Sequence, residues 1–341
     1  MESFYRFRVS CFCKATLSWR WWNHLVRNAP ATRQLVRLNL DESFITLDPG
    51  PRKGVLFRDK ISLGSGMRKH RRPQLISQKR KGFTFVAMIC DTVEVQELLP
   101  QVLLGGPACF LAREAVALQA LVGPSIFIIR SASGWNNSKR MVGIFELLAT
   151  CTRDYYRTHQ FCILPDAGKC HITEEVARCL QKHRIWFTLI PARMTFILQP
   201  LDTHVFALLK RKLRDRLYSF RIIQARSTLT ILEFMSEFDV VLQELFSTRS
   251  WAHAFDGDGY GRANNLQECV RDFIRDSLEI ASSILIAPGE PSRVELWMVY
   301  PRNSHPPWHY MLPTRQSMVG LALRDTARPE LLPLEVVPLI P

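Results

Sequence analysis

No apolar stretch of this 341-residue chain approaches the ~18 residues that would span a bilayer, and its first 22 residues hold no continuous hydrophobic region. The sequence therefore predicts neither a membrane helix nor a secretory leader. It also has no glycine-rich phosphate-cradling loop, no Gly-x-Ser-x-Gly elbow and no internal repeat. Those absences argue against a nucleotide-dependent motor, a serine hydrolase of the elbow type and a solenoid. Paired cysteine spacings are missing as well. The nine cysteines are odd in number and mostly lie in apolar runs such as Phe83–Cys90. Buried, reduced thiols in an intracellular protein fit that usage. Cys162, Cys170, His171 and Cys179 match no common zinc spacing.

Acids are scarce too. Against 45 Lys and Arg stand 31 Asp and Glu, a formal net charge of +14. Such an excess says nothing about fold but favours a polyanionic partner, nucleic acid first. The basic residues concentrate in two places. Residues 51–81 hold eleven Lys or Arg and one acid, including Arg68, Lys69, Arg71 and Arg72. Residues 210–226 include Lys210, Arg211 and Arg214. Either stretch can grip phosphates, and either can be a solvated face. Trp19, Trp21 and Trp22 could stack on unpaired bases, but a small hydrophobic cluster is the simpler reading.

Periodicity gives an α/β pattern. Leu35–Leu40 reads as a strand running into Asp41 and Glu42, with Phe44–Leu47 as a partner across a tight turn. Phe83–Cys90, Leu98–Leu104 and Ser125–Arg130 read as further strands. Ser138–Thr150 reads as a helix, Phe161–Leu164 as a strand ending at Asp166, and Thr173 as the cap of a helix carrying Glu174 and Glu175 in its first turn. Ile185–Ile190 reads as a strand, Thr203–Phe220 as a helix and Ile231–Phe246 as another helix. Residues 1–34 are basic and aromatic without clear periodicity. The expected organisation is that segment, a core over 35–226, a helical extension over 227–282 and a Pro-rich tail over 283–341 that matches no known pattern.

Three aspartates sit where elements end: Asp41, Asp166 and Asp202. Carboxylates at the ends of neighbouring strands can converge, and hard divalent ions want oxygen ligands. Taken singly, each is more often a turn or cap residue. Asp91, after the strand Phe83–Cys90, competes with Asp41 for the first position. Glu42 either assists the site or faces solvent.

The flanks of these acids carry a resemblance. Leu164-Pro-Asp-Ala-Gly-Lys-Cys-His171 resembles the second-aspartate motif of the DDE superfamily endonucleases, in which a His follows the Asp by five positions. Ile190–Phe206, with its Leu-Gln-Pro-Leu-Asp core at 198–202, is similar to the third-aspartate motif of the pogo/Tigger-like, mariner-related branch. Leu38-Asn-Leu-Asp-Glu-Ser43 resembles the first-aspartate motif, and Lys81–Met88 the core strand that follows. Gly134, Trp135 and Asn137, and the run Ser250–Phe255, resemble further segments of that catalytic domain. The likeness covers residues 19–260. Ala167 stands where the family often has Asn, and the 40 residues before Asp41 are too few for the paired helix-turn-helix modules of longer members.

The resemblance implies a ribonuclease-H-like mixed sheet flanked by helices, with Asp41, Asp166 and Asp202 holding two Mg²⁺ or Mn²⁺ ions for cleavage of DNA phosphodiesters. It gives His171 a ligand-orienting or backbone-contacting role, with a plain helix-start residue as the alternative, and Gln199 a supporting one. The expected partner is DNA, a homodimer being open, and the expected place is the nucleus. The Arg-rich start, with Glu2 as its one acid, keeps organelle import as an alternative. The competing function is a domesticated or decayed transposase-derived protein that binds DNA without cutting it.

Overall fold

The computed structural model describes residues 2–27, 29–47, 81–131, 134, 136–225 and 229–261. The basic stretch with Arg68, Lys69, Arg71 and Arg72, Trp135 and everything beyond 261 lie outside the described residues.

In chain order the elements are α1 (Glu2–Arg27), β1 (Gln34–Thr46), β2 (Gly82–Cys90), α2 (Val93–Gln96), β3 (Gln101–Gly105), α3 (Ala115–Leu121), β4 (Ile126–Arg130), α4 (Ser138–Cys151) and β5 (His159–Pro165). Then come α5 (Glu174–Lys182), β6 (Trp186–Phe187), α6 (Thr195–Leu198), a π-turn (Leu201–Val205) that opens α7 (Phe206–Ile223), α8 (Ile231–Leu242) and α9 (Ala252–Gly257).

The sheet order is β4-β3-β2-β1-β5-β6. Strands β1, β2 and β3 form an antiparallel meander, whereas β5 joins β1 in parallel and β6 joins β5 in parallel. A meander whose first strand carries two parallel strands on its other edge is the ribonuclease-H-like arrangement that the sequence predicted. β4 extends it, parallel to β3. Helices cover the sheet, so its central strands are buried on both faces: residues 83–90 of β2 are all buried, as continuous apolar strands of this kind must be.

Local signals explain most elements. Asn137 caps α4 by accepting from Arg140 N at 3.0 Å, and Thr173 caps α5 as expected. Thr230 and Glu233 form a reciprocal capping box at the start of α8. Three expectations need correction. β1 does not end at Leu40 but runs on to Thr46, so Asp41 is a mid-strand residue and Phe44–Leu47 is no separate partner. Asp41 pairs with Ala87 of β2, and the ladder continues to Thr46 opposite Gly82. The strand expected over Ile185–Ile190 shortens to Trp186–Phe187, with a single bridge from Ile190 to Asp166.

The third correction is at the start of the chain. The aperiodic-looking segment is the helix α1, and its Ala15, Trp19, Trp22 and Leu25 fall on one buried stripe. The tryptophans belong to the main core. Trp19 Nε1 donates to the Asp258 carbonyl at 3.0 Å, and the Trp22 ring meets Tyr260 edge-on at 5.6 Å. They are not available to stack on bases. Among the described residues, no helix is long and apolar enough to cross a membrane.

Candidate active site

The pairing of β1 with β5 aligns the first two acids. Leu40 lies level with Pro165, so the next positions, Asp41 and Asp166, stand side by side on adjacent strands. Asn39, one residue before Asp41, ties the third acid to them. Its Nδ2 donates to the Leu164 carbonyl on β5, and its Oδ1 accepts from Leu201 N at 2.9 Å, at the mouth of the π-turn that carries Asp202. π-turns within helices often mark functional positions. One buried amide thus fixes β1, the end of β5 and the start of α7. The sequence reading gave Asn39 no role, because nothing local marks it.

Replacing Asn39 by Leu should leave the Leu201 N–H buried and unpaired, at roughly 1–3 kcal/mol. Thermal denaturation of the variant should show that loss. A melting temperature equal to that of the wild type would remove Asn39 from this role.

The three carboxylates feel one another. Asp41 is buried, and its carboxyl is pushed up to about 8, first by burial and then by the charges of Asp202 and Asp166, with Glu42 adding less; only a backbone hydrogen bond from Glu42 opposes this. Asp202 is exposed. Its carboxyl is raised by partial desolvation, opposed by a hydrogen bond with Thr195 and by the Lys210 charge, and raised again by Asp166. Asp166 behaves oppositely. Burial alone would raise it, but the hydrogen bond and charge of His171 and the Gly168 N–H hold it below its ordinary value.

His171 is where the structure adds most to the sequence reading. Its ring is buried, 1% exposed, with Nδ1 donating to Asp166 Oδ1 at 2.6 Å. Nε2 lies 3.4 Å from Glu42 Oε1, and Asn136 Nδ2 donates to that same oxygen at 2.5 Å. Burial pushes the imidazole down, yet the hydrogen bonds with Asp166, Cys170 and Glu42 outweigh it and keep it protonated well above its usual range. A row Asn136–Glu42–His171–Asp166 therefore locks the Asp166 side chain in place, as supporting partners of metal-binding groups do. Glu42 does not simply face solvent. Its side chain is 24% exposed and is held from two sides.

Gln199 is fully buried, and neither end of its amide has a partner among the described residues. Its backbone carbonyl accepts from Asp202 N at 2.9 Å and Thr203 N at 3.0 Å, which shapes the π-turn. Lys210 is exposed, close enough to act on Asp202, and its ammonium lies 5.8 Å from the Phe206 ring centroid. Arg211 is exposed and Arg214 half-buried on the same helix. The rival acid Asp91 is elsewhere. Its carboxylate takes Arg37 Nε at 2.7 Å and Arg37 N at 3.1 Å. Arg37 lies four residues before Asp41 on β1, about 13 Å along an extended strand. Asp91 holds a buried ion pair and is not part of the acidic group.

The acids fit hard divalent cations. They offer carboxylate oxygens alone, and among the described residues no basic side chain makes an ion pair with the buried Asp41. They are too widely set for one ion to gather all three: the groups whose ligand atoms lie within 4.8 Å of one another are Glu42–Cys170–His171 and Glu146–Cys179–His183, among the described residues. Two ions roughly 3.5–4 Å apart tolerate the wider spacing.

A pH dependence follows. In the folded, metal-free protein Asp41 keeps its proton up to about pH 8, whereas an unfolded Asp releases it near 3.9. Its contribution to stability is therefore complete below the unfolded value and is lost as pH rises through about 8. A divalent ion must displace that proton. Apparent Mn²⁺ affinity should rise close to tenfold per pH unit up to about 8 and level off above it. Calorimetric titration at several pH values checks this, and affinity that stays flat between pH 6 and 8 would contradict it.

Solved mariner transposase structures resemble this chain. The Mos1 transposase paired-end complex with the left transposon end matches at 16% identity over 73% of this chain and 62% of that chain, with a TM-score of 0.36. The Mos1 mariner paired end complex with Mn matches at 14% identity over 72% and 62%, with a TM-score of 0.35. The catalytic domain of Mos1 mariner transposase matches at 13% identity over 74% and 92%, with a TM-score of 0.32. The chain thus spans about three fifths of the transposases in those complexes. No family model matches the chain, and no curated protein does. The fold assignment rests on strand order and direction, and the site on its own geometry.

Proposed function

We propose that the chain is a DDE-type endonuclease or transposase core that cleaves DNA phosphodiesters, with Asp41, Asp166 and Asp202 holding two Mg²⁺ or Mn²⁺ ions. The observation that carries the reading is the buried carboxyl of Asp41, forced up to about 8 by burial and by two neighbouring acids, with no cationic side chain paired to it among the described residues. A polypeptide keeps such an arrangement at a cost, and a divalent cation removes that cost. The flanks of the three acids favour the pogo/Tigger-like branch, through Leu198-Gln-Pro-Leu-Asp202 above all.

When bound, the ions activate the attacking oxygen and stabilise the leaving one. The protein's own part is positional. His171 and Glu42 fix Asp166, Asn39 fixes the turn that carries Asp202, and burial of Asp41 excludes water from one side of the site. Lys210, Arg211 and Arg214 lie on α7, which follows directly on the π-turn that carries Asp202, so a phosphate backbone that reaches the acids can run along that helix. A nuclear location belongs to the same reading. The test is cleavage of duplex DNA by the full chain in Mg²⁺ or Mn²⁺, read on a denaturing gel. Binding without cleavage in either ion would sink the enzymatic reading. It would leave the domesticated DNA-binding protein, which Ala167 in place of the family's Asn already favours.

A further inference from the structure

The contact between α4 and α5 holds a second group of ligating side chains, away from the acids. Glu146 of α4 takes His183 Nε2 at 2.6 Å on one oxygen. Its other oxygen has the Cys179 thiol at 3.8 Å and Lys182 Nζ at 2.9 Å. One ligand atom from each of Glu146, Cys179 and His183 lies within 4.8 Å of the other two. Cys179 and His183 are four residues apart, and His183 N donates to the Cys179 carbonyl at 3.1 Å. The helical spacing thus holds through both residues and puts them on one face, as paired ligands on a helix require.

A carboxylate that receives a thiol and an imidazole is the protonated counterpart of a metal centre. Zinc bonds of about 2.3 Å to sulfur and 2.0–2.2 Å to nitrogen and oxygen put tetrahedral ligand atoms roughly 3.3–3.7 Å apart. The sulfur–oxygen separation of 3.8 Å is already close to that. Sulfur, nitrogen and oxygen donors together suit zinc and discriminate against Mg²⁺, which wants oxygen alone. Three protein ligands leave a fourth position for water.

We propose that Glu146, Cys179 and His183 form a zinc site that staples α4 to α5, with a water on the fourth position. Each zinc bound displaces the thiol proton of Cys179 to solvent, the His183 ring takes its Nδ1–H tautomer so that Nε2 is free to ligate, and the Lys182 ammonium swings away from Glu146 into solvent. No sequence motif announces the site, because its third ligand comes from a different helix. It is independent of the nuclease reading and of the ions held by the three aspartates.

The test uses the full chain, stripped of metal and titrated with Co²⁺ and then Zn²⁺. The wild type should show a thiolate-to-cobalt charge-transfer band that zinc abolishes at one equivalent, with a rise in melting temperature. Cys179→Ser should lose the band, and Cys170→Ser should keep it. His183→Ala should weaken zinc binding by more than roughly 100-fold, beyond what removing a supporting hydrogen bond does. Lys182→Ala, which removes a competing cation, should bind zinc more tightly. Circular dichroism of metal-free Cys179→Ser separates lost ligation from lost fold, and Lys182→Ala keeps the proposal testable if that variant misfolds. A wild type without the band, a band that survives Cys179→Ser or vanishes in Cys170→Ser, or weaker binding in Lys182→Ala would each overturn the site.

Discussion

If the chain cleaves DNA as proposed, exchanging Asp41 for Asn should cut Mg²⁺-dependent cleavage by ~10³-fold or more, and it should make the metal-free protein more stable above about pH 8. The two effects share one cause. Asp41 is buried among acids, so its ionised form costs the fold and attracts a cation at the same time. Asn keeps the shape, removes the charge, and with it both the cost and the attraction. Asp166→Asn should lower cleavage equally but destabilise the protein, because it removes the charge from the part-buried hydrogen bond with His171 at 2.6 Å. Gel assays of nicking and melting curves with and without Mn²⁺ separate the two variants. An Asp41→Asn protein that cleaves within tenfold of wild type would remove Asp41 from the metal site.

These opposite stabilities depend on contacts that the sequence displays only in part. β2, β5, α4 and α5 were legible because each carries its own signal: an apolar run, a strand-ending Asp, an apolar face of Met141, Ile144, Phe145 and Leu148, and a capping Thr. The three acids were singled out through their flanks. The continuation of β1 through Asp41 was not, because Asp41-Glu-Ser43 is polar and reads as a turn. It is a strand because Glu42–Thr46 pair with Gly82–Val86, and those partners lie across residues 48–80. Helix α1 was obscured in a similar way. Its stripe of Ala15, Trp19, Trp22 and Leu25 interleaves with Trp21 and Arg20, which blurs the period. Asn39 was given no role, and Glu42 only an undecided one, for a different reason. An amide that bridges three elements, or a carboxylate that holds a distant histidine, has no signature of its own in the chain. Such positions emerge only when the strands are placed.

Asp91→Ala tests the other half of that placement. Asp91 meets Arg37 in a fully buried ion pair, with side-chain exposures of 3% for Arg37 and 0% for Asp91. Removing one partner of such a pair strands the other charge, at a cost of roughly 3–5 kcal/mol. The cost should fall toward the lower end here, because Arg37 Nη1 also meets the Asp256 carboxylate and the Tyr260 carbonyl, each at 2.5 Å. In a domain of this size each kcal/mol lowers the melting temperature by roughly 2–4 °C, so a fall of about 6–20 °C is expected. Divalent-ion affinity should not change, since Asp91 is about 13 Å of strand away from Asp41. The double variant Arg37→Met with Asp91→Leu should recover only part of the loss, because the apolar pair carries no desolvation penalty but removes the Arg37 bonds to the Asp256 carboxylate and the Tyr260 carbonyl. Melting curves and Mn²⁺ titrations on the three proteins decide the matter. If the Asp91→Ala protein melts like the wild type but loses Mn²⁺, Asp91 and not Asp41 is the first metal-binding acid.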